Sequence, residues 1–209
     1  HAGFGAAMYG ATHQSLEDIA LMRVIPNMVV VSPCDFEEAK KATFAVAENG
    51  KPSYLRLARQ DSQIFSAGDF EIGKATTLRQ GKDPQVAIIG CGPILKEALD
   101  AAEELSKIGI ETMVINNHTI KPIDDIAITN AARICGGIVT VEEHQIYGGL
   151  GSAVAEVVVQ GHQVPMEFVG VWDEFGESAK TYQELWKKFG LTKENIIEAV
   201  KKVILRKNF

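Results

Sequence analysis

The chain has 209 residues, 46% apolar and 23% charged, enough to bury an ordinary core in one or two domains and unlike a collagen, a mucin or a disordered tail. Its net charge of -6, with 27 acidic against 21 basic residues, argues against the clustered Lys and Arg of a nucleic-acid footprint. No apolar run approaches the ~18 residues that a membrane helix requires, the longest being interrupted by Pro26, Pro33 or Gly90.

From Leu16 to Ile25 the apolar residues Leu16, Ile19, Ala20, Met22 and Ile25 recur at helical spacing, with Ser15 placed as the N-cap and Pro26 as the stop. Met28 to Val31 is a continuous apolar run closed by Ser32-Pro33, the pattern of a strand covered on both faces. Asp35 opens a second helix running to about Glu48, whose apolar side reads as Phe36, Ala39, Thr43, Phe44 and Ala47. Ser53 to Leu57 is the next strand. The stretch from Gln60 to about Gly81 is polar and punctuated by glycine, with one candidate strand near Lys74 to Leu78. A domain boundary is expected there, dividing the chain into residues 1–66, a linker at 67–85 and residues 86–209.

Beyond the boundary strand and helix alternate. Strands are expected at Val86–Ile89, Glu111–Ile115, Gly137–Val141 and Met166–Val171. Helices are expected at Ile94–Lys107, Asp124–Arg133, about Gly149–Gln160, Thr181–Phe189 and Lys193–Ile204. Such alternation specifies an α/β fold with a mostly parallel sheet and right-handed crossovers. Cys34, Cys91 and Cys135 are odd in number, widely spaced and without a C-x-x-C pair, which fits a reducing, cytoplasmic setting. The start at His1 rather than Met, with no export-signal pattern, leads to the expectation that a longer polypeptide begins upstream.

Four elements could carry chemistry. Gly10-Ala11-Thr12-His13-Gln14 delivers one imidazole at the mouth of a helix, where free N–H groups attract anions and polar ligands; His13 can contact a ligand there or simply cap the helix. The glycines at 3, 5 and 10 permit close backbone approach to a ligand and equally describe a turn. Arg59 follows a strand, where its guanidinium could fork onto a phosphate or form a surface ion pair. Glu142-Glu143-His144 leads into Gly148-Gly149-Leu150-Gly151-Ser152 without the G-x-G-x-x-G spacing or a Walker lysine. The preferred reading is structural, with the glycines admitting close helix packing and Glu142 or Glu143 pointing at a neighbouring subunit. No Cys, His or carboxylate cluster has metal-ligand spacing.

Taken in order, His1-Ala2-Gly3, Gly10-Ala11-Thr12-His13-Gln14, Glu17-Asp18-Ile19-Ala20-Leu21-Met22-Arg23, Ile25-Pro26-Asn27-Met28 and Pro33-Cys34-Asp35 resemble the transketolase family. The resemblance continues through Leu55-Arg56-Leu57-Ala58-Arg59-Gln60, Asn116-Asn117-His118-Thr119-Ile120-Lys121-Pro122 and Val141-Glu142-Glu143-His144-Gln145-Ile146-Tyr147-Gly148-Gly149-Leu150-Gly151-Ser152. It covers essentially the whole chain and is strongest to the C-terminal subunit of split transketolases. It implies two α/β domains, part of a pyrimidine-binding domain (1–66) followed by a transketolase-type C-terminal domain (86–209).

The resemblance further implies thiamine diphosphate with Mg²⁺, held mainly by upstream residues and by a partner diphosphate-binding subunit or domain, and a homodimer of this subunit. The implied reaction moves a two-carbon ketol unit between sugar phosphates, and the chain alone would be inactive. His13 matches the histidine facing the reacting sugar, His1 a histidine of the phosphate-binding rim, and Arg59 the arginine that grips the sugar phosphate. Met8-Tyr9 stand where the family usually has an acidic pair, whose aspartate bonds a substrate hydroxyl. Another thiamine diphosphate enzyme, such as a deoxyxylulose phosphate synthase or a 2-oxoacid dehydrogenase β-subunit, and a non-catalytic dimerisation module are the alternatives.

Overall fold

A computed structural model describes residues 1–66 and 68–207. Residue 67, the first of the expected linker, and residues 208–209, the last of the expected second domain, lie outside the described residues. A 3₁₀ segment, Ala7–His13, precedes α1 (Asp18–Arg23), β1 (Val29–Val31), α2 (Phe36–Glu48), β2 (Ser53–Leu55) and β3 (Thr76–Arg79). Then follow β4 (Val86–Gly90), α3 (Leu95–Lys107), β5 (Thr112–Asn116), β6 (Thr119–Lys121) and α4 (Asp125–Cys135). The chain continues through β7 (Ile138–Gln145), α5 (Leu150–Gln160), β8 (Met166–Val171), α6 (Tyr182–Lys188) and α7 (Lys193–Lys207).

The larger sheet has five strands in the order β3-β5-β4-β7-β8, parallel except for the edge strand β3. The apolar runs of its central strands are continuous because both faces are covered. Val86 and Ile88 point to a core shared with α3, α6 and α7, while Ala87 and Ile89 point to a second core shared with α4 and α5. The edge strand β3 lies within the stretch expected to be a linker and joins β5 antiparallel.

The smaller sheet, β2-β1-β6, is assembled from both halves of the sequence. β1 and β2 pair in parallel, and β6, a short strand that the sequence pattern did not reveal, closes on β1 antiparallel. Ser32 N donates to the His118 carbonyl and Gly92 N to the Ser32 carbonyl. These bonds set the smaller sheet against the carboxyl ends of the parallel strands. In open α/β sheets that edge is where ligands bind.

Two sequence expectations are corrected. Ser15 does not cap a helix: its N–H donates to the His1 carbonyl at 2.8 Å and its carbonyl accepts from Gly3 N at 2.8 Å, so it is held extended and α1 begins three residues later. Helix α2 turns its other face inward. Glu38 and Ala42 are buried, while Phe36 and Phe44 are 66% and 64% exposed. The buried Glu38 carboxylate accepts from Cys34 N and from Asn116 Nδ2, both at 2.7 Å, and those bonds fix the rotation of the helix about its axis.

Candidate functional site

The sequence elements of interest meet around the loop His1–Gln14. Ala2 bridges both Ser15 and Ala58 in parallel, which brings His1 beside Arg59 across 58 positions of sequence. Arg59 Nη1 lies 3.2 Å from His1 Nε2; since a guanidinium only donates, the imidazole nitrogen accepts there. The His1 and His13 rings stack with centroids 6.5 Å apart. Tyr9 completes the group: its ring centroid is 5.0 Å from that of His13 and 5.4 Å from the Arg59 guanidinium carbon, a cation–π distance. His1, His13 and Arg59 are all exposed. The three residues selected from sequence therefore line one surface, with Tyr9 between two of them.

Local hydrogen bonds hold the His13 ring. Thr12 Oγ1 donates to the Tyr9 carbonyl at 3.2 Å, so the same hydroxyl accepts from His13 Nδ1 at 2.9 Å. In the tautomer that this pairing accommodates, Nδ1 carries the proton and Nε2 is the acceptor. An imidazole so disposed can take a proton from a bound hydroxyl.

The loop is held from beneath by Glu143, near the C-terminal end of β7. Its Oε1 accepts from Phe4 N and Trp186 Nε1, both at 2.8 Å, and its Oε2 accepts from Gln60 Nε2 at 3.2 Å. Gly3 has φ of +63°, and a Cβ there would collide with that carboxylate, so the close approach requires glycine. Glu142 accepts from Leu150 N at 2.7 Å and Gly151 N at 2.8 Å, capping α5. The expectation that one of these carboxylates faces a neighbouring subunit is thus corrected: both are buried and bonded within the chain, because the turn before α5 and the 1–14 loop bring unpaired N–H groups onto β7. The expected close packing at the glycines is present, since a Cβ at Gly149 would strike Glu142 and one at Gly151 would strike Phe168. Burial pushes both carboxyls up from their ordinary values, against the lowering effect of these donors and of nearby charge.

A second support is the buried pair Arg56–Asp18. Arg56 Nε donates to Asp18 Oδ2 at 2.7 Å and Nη2 to Oδ1 at 3.1 Å, and the Tyr54 hydroxyl adds a bond at 2.8 Å. Burial pushes the Asp18 carboxyl up, but the Arg56 charge and these hydrogen bonds outweigh it and hold the pKa below the usual value. Arg56 Nη2 also reaches the carbonyls of Ser15 and Glu143, at 3.2 and 3.0 Å, tying α1, β2 and β7 together.

Arg59 borders two clefts. One, of about 870 Å³, runs along the exposed face of α2 past Phe36, Thr43, Phe44 and Leu57. The other, of about 310 Å³, lies between Tyr9 and the turn Lys180–Gln183. The cysteines offer no nucleophile: all three are buried and unpaired, and burial pushes the Cys91 thiol up to about 12 and that of Cys135 up to about 11. Among the described residues no group of three or more His, Cys, Asp or Glu side chains could hold a metal ion, and no helix is long and apolar enough to cross a membrane.

Sequence reasoning missed Glu143 as a support, because an acidic pair within a strand resembles a surface feature until its donors are located. It also gave no role to the Tyr9 ring beyond its replacement of a carboxylate. The flanking Gly10, with φ of +70°, was the available signal that this segment is tightly folded.

Comparison with known proteins yields matches over nearly all of the chain. Residues 1–63 match the family model for the transketolase pyrimidine binding domain, and residues 73–196 the model for the transketolase C-terminal domain. A 6-deoxy-6-sulfo-D-fructose transketolase subunit, SqwH, from Clostridium sp. is 43% identical over 99% of this chain and 64% of its own. An apulose-4-phosphate transketolase subunit from Phocaeicola vulgatus is 37% identical over 96% of this chain and 65% of its own. A solved split gene transketolase, described as an inactive beta4 tetramer, superposes with a TM-score of 0.90 at 41% identity, covering 99% of this chain and 66% of that one. The chain thus spans a little under two thirds of the length of these relatives.

Proposed function

The chain belongs to the transketolase family, and from that premise we propose that it is the pyrimidine-binding and C-terminal part of a split transketolase subunit, transferring a two-carbon ketol unit between sugars that end in an anionic group. The observation that carries this reading is the meeting of His1, His13 and Arg59 on one exposed surface with Tyr9 between them. Arg59 forks onto the phosphate or sulfonate of the substrate, and His1, held against it, completes the anion rim. His13 Nε2 takes and returns a proton at a sugar hydroxyl near the reacting carbon. Tyr9 supplies an aromatic wall where the family usually has a carboxylate. Two relatives are named for a sulfonated and a phosphorylated sugar, which supports an anionic terminus as the shared feature.

In this reading thiamine diphosphate supplies the nucleophilic carbanion and the electron sink. Beside the loop, Glu142 and Glu143 are buried and already bonded within the chain, and among the described residues no group of three or more His, Cys, Asp or Glu side chains could hold Mg²⁺. Thiamine diphosphate and Mg²⁺ would be carried mainly by a diphosphate-binding partner subunit and by upstream pyrimidine-domain residues, in an assembly containing two copies of this subunit. The proposed division is a pyrimidine-binding part at 1–66, a connection at 67–85 and a C-terminal domain at 86–209. Three unpaired cysteines support a reducing, cytoplasmic setting.

The test is ketol transfer by the full-length subunit reconstituted with its partner, thiamine diphosphate and Mg²⁺, with ketose phosphates, sulfosugars and pyruvate offered as donors. Transfer from an anionic ketose and none by this chain alone is expected. Turnover of pyruvate only would overturn the assignment in favour of a 2-oxoacid-type enzyme, and failure with every donor would leave an assembly module.

A further inference from the structure

The cleft of about 310 Å³ beside Arg59 has two walls from opposite ends of the sequence. Gly5, Tyr9 and Arg59 form one, and Lys180, Thr181 and Gln183 form the other. The walls are joined by hydrogen bonds: Ala179 N donates to the Ala7 carbonyl at 3.0 Å, and the Gln14 side-chain Nε2 to the Glu177 carbonyl at 2.8 Å. A Cβ on Gly10 would strike the Ser178 hydroxyl, so the two segments are in close contact.

The turn that carries Lys180 is itself fixed. Its backbone N–H donates to Glu184 Oε2 at 3.0 Å, while Thr181 Oγ1 accepts from Glu184 N at 3.3 Å, a reciprocal cap on the start of α6. Tyr182 meets Trp186 edge-on with centroids 4.9 Å apart, and Trp186 is bonded to Glu143 beneath the loop. The ammonium group of Lys180 is left over. Neither it nor the Arg59 guanidinium has a carboxylate within 4.0 Å among the described residues, whereas the nearby Lys188 is paired with Glu177. Two cations with no carboxylate within 4.0 Å thus border one cleft in a chain of net charge -6, a local field that favours an anion.

We propose that Lys180 is a specificity-determining residue, by which the C-terminal domain holds the anionic end of the substrate, a phosphate or a sulfonate, from the side opposite Arg59. The proposal rests on the function given above and adds a residue of the C-terminal domain to the site. Lys180 acts as a point charge on a flexible stem, so it accepts tetrahedral anions of either kind without the planar geometry that an Arg imposes.

The experiment has two arms. In the reconstituted enzyme, Lys180→Ala is expected to raise KM for the anionic substrate about tenfold with kcat little changed, a loss of the size of one charge-assisted bond. Lys180→Arg restores it, and the KM of an uncharged sugar of the same carbon skeleton does not move. Equal KM shifts for charged and uncharged sugars, or no shift, overturn the proposal. In the second arm the chain alone is titrated with inorganic phosphate and, separately, with methanesulfonate, read by the shift in its thermal unfolding midpoint. Wild type is expected to respond and Lys180→Glu not to, and the stronger of the two anions identifies the source. If the wild-type assembly shows no ketol transfer, the functional reading falls and this titration alone decides; identical responses of wild type and Lys180→Glu then overturn the role of Lys180.

Discussion

Glu143, near the C-terminal end of β7, accepts the backbone N–H of Phe4 at 2.8 Å across 139 positions of sequence. A strand of the larger sheet thereby anchors the loop on which His1 and His13 sit. The same carboxylate holds Trp186, whose ring contacts Tyr182 at the edge of the Lys180 turn, so one buried group positions both walls of the smaller cleft.

Replacing Glu143 by Ala should strand the Phe4, Trp186 and Gln60 donors in the interior. The expected cost is about 3–5 kcal/mol, measured by urea unfolding, because each buried unpaired donor carries its own desolvation penalty. Glu143→Gln is expected to be milder, since the buried, unbonded Gln60 Oε1 can turn to meet the new amide. Burial raises the Glu143 pKa, so in wild type the folded state resists ionisation and stability falls as pH rises from the unfolded value of about 4.3 through the folded one. Glu143→Gln should reduce that decline by up to about 1.4 kcal/mol per pH unit. An unchanged slope would remove Glu143 as its source.

Asp18 acts in the opposite sense. Its folded pKa is depressed, so its contribution is fully present above the unfolded value of about 3.9 and is lost as pH falls through the folded value. Asp18→Asn should destabilise the chain by about 3–5 kcal/mol at pH 7, by leaving the Arg56 charge buried without its partner. It should also weaken the pH dependence of unfolding below pH 4. Stability curves of the two proteins that run parallel in acid would contradict this.

His13 and Arg59 are expected to fail in different ways in the reconstituted enzyme. His13→Ala should lower kcat by tenfold or more with KM little changed, as loss of acid–base assistance does. Arg59→Ala should act mainly on KM for the anionic sugar, by tenfold or more, and Arg59→Lys should recover only part of it. A purely structural role for either residue would be revealed by parallel losses in thermal stability.

The corrected orientation of α2 gives a plain mutational contrast. Phe44→Ser, on the exposed face, should change the stability of this chain by no more than about 0.5 kcal/mol. Ala42→Phe, on the buried face against Val29 and Val31, should cost about 1–3 kcal/mol by overpacking. Circular dichroism melts of the two variants suffice, and the reverse order would restore the face read from periodicity.

Strand–helix alternation from Val86 onward, the continuous apolar strands and the cap at Asp35 could be read in advance, because each depends on residues within a turn or two of one another. The family resemblance, resting on short motifs in order, likewise required no coordinates. The face that α2 buries, the antiparallel closure of β6 on β1 and the inward aim of Glu143 were settled only in three dimensions. In each case a polar group or an unpaired backbone edge found its partner in a distant segment: Glu38 at Asn116, Val30 at Lys121, Glu143 at Phe4 and Trp186. Hydrophobic periodicity reports what a segment can bury, whereas the direction of a buried polar group depends on donors that another part of the chain brings to it.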